Sequence, residues 1–188
     1  MNRIRWVFAV LVLVSMVIIA GARSAGAQGA TPISVPTPVA AGCDQIPAYV
    51  QERQKIMDDL LNGIAAIFPD VATPVADHGD QLLIAMMAMT PEQTTRLGQL
   101  YDELAGKLEK LDVPEIARFY NEQVVALYRA SARTFEEAAS SDLTTAGQKY
   151  GEQLGVIAAA VNDYGVAAVA ICPAFSDVVT IDQTQIGL

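Results

Sequence analysis

From Ile46 to Ile171 the apolar residues recur three and four positions apart, and before Ser176 no segment alternates convincingly with period two. That spacing places one apolar stripe on a helix surface and none on a strand face. Such a stripe must be buried against another, so the pattern restricts the chain to helix packed on helix.

Punctuation divides the pattern. Pro47 suits the first turn of a helix, where its missing N–H costs nothing. Tyr49/Val50, Ile56/Met57, Leu60/Leu61, Ile64 and Ile67/Phe68 carry the first stripe, which Asn62-Gly63 is expected to kink or fray and Pro69 ends. Asp80 is expected to cap a short apolar helix over Gln81–Met89. Thr90-Pro91-Glu92-Gln93 has Thr as N-cap, Pro at the first position and Gln at the third, a strong start signal. Leu97, Leu100, Leu104, Leu108 and Leu111 follow on one stripe, with Glu103 and Lys107 spaced to pair on the outer surface. A fourth helix carries Ile116, Phe119/Tyr120, Val124, Leu127, Ser131 and Phe135. The fifth starts at Asp142–Thr144 and runs to Ile171, with a break expected near Asn162–Gly165 because glycine weakens helices. The expected fold is an all-α, up-down bundle of about four main helices plus one short helix.

The flanks differ in character. Residues 1–27 read as a signal peptide: Arg3 and Arg5 supply the basic start, Val7–Ala20 the apolar run, and Ala25-Gly26-Ala27 the cleavage pattern. Cleavage after Ala27 removes three arginines and no acid, moving the net charge from −9 to −12. So acidic a chain is not expected to bind nucleic acid or anionic lipid, and no membrane span is expected after cleavage. Residues 28–42, with Pro32, Pro36 and Pro38, read as a Pro-rich disordered tether. Residues 43–175 form the expected bundle domain. In the tail, 176–188, Val178-Val179-Thr180-Ile181 suggests a short strand or disorder. The Ala-rich, Lys-poor composition points to a bacterial source.

Cys43 and Cys172 bracket the helices. An exported chain meets an oxidising compartment, so the two are expected to form a disulfide closing the bundle. The first helix begins and the last ends at the same end of an up-down bundle, so topology and bond agree.

Candidate chemistry is sparse. His78 is the sole histidine, and with Met86 and Met89 it makes a poor copper or zinc set, so no metal or other cofactor is expected. Asp58-Asp59, Asp102-Glu103 and Glu136-Glu137 are adjacent pairs whose side chains diverge on a helix. Arg118, Glu122, Arg129, Arg133 and Glu136 interleave as a charged outer stripe. No P-loop, G-x-G-x-x-G or G-x-S-x-G turn is present. The expected role is therefore that of an exported, non-catalytic bundle acting as an interaction or envelope-associated module for a protein partner. The alternative is a carrier of a small apolar ligand, with Tyr120, Tyr150 and Tyr164 lining a site between helices.

Overall fold

The computed structural model describes residues 31–71 and 79–186. The signal segment and His78 lie outside them. Among the described residues six α-helices follow in order: α1 Ile46–Ile67, α2 Gly79–Met87, α3 Pro91–Leu108, α4 Arg118–Ser140, α5 Leu143–Ile171 and α6 Phe175–Ile186. Short 3-10 turns precede α1 (Cys43–Gln45) and α4 (Glu115–Ala117). The described residues contain no strand.

The starts form as the sequence predicts. At α3 the Gln93 amide donates to Thr90 Oγ1 at 3.2 Å, and the Thr90 amide donates to Gln93 Oε1 at 3.0 Å. At α5 the Thr145 amide donates to Asp142 Oδ1 at 2.9 Å. These caps supply partners to amides that the first turn leaves open. Two expected interruptions do not occur: α1 continues through Asn62-Gly63, and α5 runs 29 residues through Asn162–Gly165. Packing of their buried faces outweighs the helix cost of glycine. The short helix starts at Gly79, one residue before its expected cap.

Consecutive long helices α3, α4 and α5 pack side by side, and α1 packs on α3. Leu97, Leu100, Leu104, Leu108, Val124 and Leu127 are all buried, with Tyr101, Tyr128 and Phe135 stacked across the α3–α4 seam. The ring does not close directly between α1 and α5. The closing element is α6, which packs against both. Residues 176–186 are thus neither strand nor disordered. Phe175, Val178 and Asp182 are fully buried, three and four positions apart, and that helical spacing prevails over the β-branched run Val178–Ile181.

A disulfide joins Cys43 to Cys172, with Cα atoms 5.8 Å apart. A protein disulfide of this kind implies an oxidising, extracytoplasmic setting. The expected tether is, from Thr31, laid on the body: Ile33 and Val35 pack against the core and Pro38 is buried. Gly42 anchors it, with φ +82° and its Cα so close to Pro114 that a Cβ would approach the Pro114 Cβ to 3.1 Å. The Ile116 amide donates to the Ala41 carbonyl beside it, at 3.0 Å.

Surface pairing differs in detail from the expected i,i+4 scheme. Lys107 reaches Asp59 on α1 at 2.7 Å, while Glu103 pairs with Arg96 at 3.2 Å. Arg129 pairs with Glu109 at 2.6 Å and Arg118 with Glu115. Arg118, Glu122 and Arg133 are exposed and Arg129 is half-exposed. Asp59 on a neighbouring helix thus takes the cation that a single-helix reading assigns to Glu103, and Glu103 turns to Arg96 on its own helix.

Leu104 is 3% exposed within this core. Leu104→Ala should lower the unfolding free energy by about 2 to 5 kcal/mol, the range for truncating a buried leucine. Urea titration of both proteins checks it; a loss under about 1 kcal/mol would show that the helix register is wrong.

Candidate functional site

The buried charges, with Asn121 and Tyr49, converge where α1, α4 and α6 meet. Arg53 and Asp182 are both 0% exposed. Arg53 Nη2 donates to both carboxylate oxygens of Asp182 at 2.8 Å, and Nε donates to Oδ1 at 3.3 Å. The opposite edge of the guanidinium is held by the bundle: Nη1 donates to the Tyr49 hydroxyl and to Asn121 Oδ1, each at 3.0 Å. The Tyr49 hydroxyl donates to Asn121 Oδ1 at 2.9 Å, and Asn121 Nδ2 donates to the Leu108 carbonyl at 3.1 Å. The Tyr120 hydroxyl hydrogen-bonds to Asp182. The guanidinium carbon lies 5.8 Å from the Tyr49 ring centroid and 5.9 Å from that of Tyr120, within cation–π range.

Electrostatics follow from burial. Desolvation alone would weaken the Arg53 charge, but the facing Asp182 carboxylate reverses this and holds its pKa above the ordinary value. Burial pushes the Tyr49, Tyr120 and Tyr128 phenols up, and the Asp182 charge raises each further. Tyr101, in the adjoining aromatic seam, is pushed up to about 12 by burial. The cluster is a saturated network with no reacting group open to solvent.

The three tyrosines singled out from the sequence are not brought together. Tyr120 belongs to this cluster and stacks edge-on against Phe175 at 5.3 Å. Tyr164 is buried, and its hydroxyl donates to the Ile116 carbonyl at 2.8 Å. Tyr150 lies fourteen residues before Tyr164 on α5, about 21 Å away along the axis, half-buried under Lys149. A described surface depression of about 500 Å³ lies elsewhere, between α1 and α6, with Val50, Gln51 and Gln54 on one side and Asp177 and Thr180 on the other.

Met86 and Met89 pack partly into the core, and Met87 points outward, 77% exposed. Among the described residues no three His, Cys, Asp or Glu side chains gather as metal ligands would.

Sequence reasoning missed Arg53 and Asp182. The signal for Arg53 was its place on the apolar stripe, four residues after Tyr49 and four before Met57. That for Asp182 was its spacing of four from Val178 and seven from Phe175.

No protein-family model, curated protein or solved structure matches the chain.

A buried ion pair is costly to break and not hard to replace. Asp182→Leu and Arg53→Met should each destabilise by about 3 to 5 kcal/mol, while the double variant should be less destabilised than either. Additive losses in denaturant titrations would refute the coupling.

The phenols give a pH dependence. Their folded pKa values lie above the ordinary 10, so above pH 10 the unfolded chain releases protons that the folded chain keeps. Stability present below pH 10 should fall from there to about pH 12, by up to ~1.4 kcal/mol per pH unit for each tyrosine. Urea midpoints from pH 8 to 11.5 check it, and Tyr101→Phe should flatten the decline.

Proposed function

We propose that the protein is an exported, non-catalytic helical module that acts through its surface on a protein partner. The carrying observation is the closed state of the polar cluster: Arg53 and Asp182 are fully buried and engaged with one another. Catalysis needs a group free to exchange protons or bonds with a substrate, and this cluster offers none. The disulfide supports an extracytoplasmic setting. Export itself rests on the signal pattern of residues 1–27, which predicts a mature chain beginning at Gln28.

The surface supplies what such a module needs. Ile84 and Met87 on α2 are 69% and 77% exposed, and Val166 on α5 is 67% exposed. Helix α5 is long and apolar enough to cross a membrane by length and composition, yet it buries Val161, Tyr164 and Ala168 in the bundle. The carrier reading is the weaker one, since Tyr120 and Tyr164 spend their hydroxyls on the protein and Tyr150 stands far from both.

Native mass spectrometry of the protein purified from the exported fraction of its own host tests this reading. The expected species spans Gln28–Leu188 with one disulfide and no small molecule. A chain retaining Met1 would overturn export by cleavage, and a stoichiometric apolar ligand would establish the carrier instead.

A further inference from the structure

The helices of the ring are held together unequally. The α3–α4 and α4–α5 faces are extensive. The second half of α1 is fastened to α3. Lys107 reaches Asp59 at 2.7 Å, Gln93 Nε2 donates to the Ile67 carbonyl at 3.2 Å, and a Cβ on Gly63 would stand 2.8 Å from Leu100 Cδ1. The first half of α1 carries Arg53, whose charge is met by Asp182 of α6. The contacts that α6 makes with α1 and α5 are the least extensive in the ring. At 12 residues, α6 has a length at which an isolated helix is marginal in water. Its central contact is a buried ion pair, whose desolvation offsets much of the attraction. The closure weakest in its own contacts is the one that the chain ties covalently. Cys43 lies just before α1 and Cys172 just before α6, and Arg53 and Asp182 each stand ten residues beyond a bonded cysteine.

We propose that the Cys43–Cys172 bond is a redox latch on the α1–α6 seam. With both thiols reduced, α6 is undocked and Arg53 is in water, while α3, α4 and α5 stay packed. Oxidation closes the seam. The oxidant is a dithiol-disulfide protein of the compartment. One cysteine attacks its disulfide as the thiolate, the second displaces the resulting mixed disulfide, and the oxidant leaves as a dithiol carrying the two electrons and two protons. The bond holds the heads of α1 and α6 together, so the open state loses the freedom that favours it. Once closed, the latch protects itself, because Cys172 is fully buried. A chain kept in a reducing compartment therefore lacks its closing helix, and the body is completed where disulfides form. This inference stands on the bond and the seam, and needs no partner.

The test compares the oxidised protein with the Cys43→Ser/Cys172→Ser variant. Phenylglyoxal, which modifies accessible guanidinium groups, should label Arg53 about tenfold or more faster in the variant, with exposed Arg133 labelled equally in both as the internal reference. Amides of α6 should exchange hydrogen about tenfold or more faster in the variant, while those of central α4 stay within about threefold. Wild-type protein refolded with its thiols kept reduced by a phosphine removes any effect of serine. It should behave as the variant does, and an added disulfide oxidant should restore the slow labelling of Arg53. Equal labelling of Arg53 in the two redox states, or α6 amides equally slow in both, overturns the latch. Loss of α4 protection in the reduced wild-type chain also overturns it, since the bond would then hold the whole bundle and not one seam.

Discussion

Arg53 is a permanent cation with no exposure to solvent, and the structure around it follows from that. An unpaired charge there would cost several kcal/mol, so the fold must bring an anion to it. The anion comes from the far end of the described chain, 129 positions away. Tyr49, Asn121 and Tyr120 complete the shell, and Asn121 ties it to the end of α3 through the Leu108 carbonyl. Three helices therefore meet at one guanidinium, and α3 is tied to it through Asn121. Apolar packing alone would let α6 settle one turn up or down its groove; the fork of Arg53 admits one register.

The sequence made most of the scaffold legible because the signals were local. The Thr90–Gln93 box, the Asp142 cap and Pro47 each act within one turn, and each sits where a helix starts. The stripe of α3 and α4 was equally readable, since leucine at three-four spacing admits one interpretation. The pairing of Cys43 with Cys172 was legible for another reason: two cysteines offer a single intramolecular choice. Gly42, which presses against Pro114, gave no such signal, because a lone glycine beside a Pro-rich stretch resembles any flexible segment.

What stayed hidden depended on partners distant in sequence. Val178-Val179-Thr180-Ile181 carries strand propensity, and Asp182 reads as polar until Arg53 is known to face it. Arg53 reads as a surface residue until Asp182 is. Each makes sense only with the other, so periodicity counted one segment at a time passed over both. The tyrosines show the converse error. Tyr120 and Tyr164 are buried, but burial gives them internal partners instead of a shared cavity, and Tyr150 is separated by four turns of α5.

The disulfide and the buried ion pair span the same sequence separation, 129 positions. From the bond, α1 and α6 set out together and run parallel, meeting again ten residues on at Arg53 and Asp182. In the oxidised but unfolded chain, the path between those two residues runs ten residues back, across the sulfurs and ten residues forward. Loop closure over that short cut costs about 1.6 kcal/mol less than over the whole separation. The contact most remote along the linear chain is thus topologically local once the bond exists. Oxidation turns the slowest kind of encounter, the meeting of two chain ends, into a short-range one.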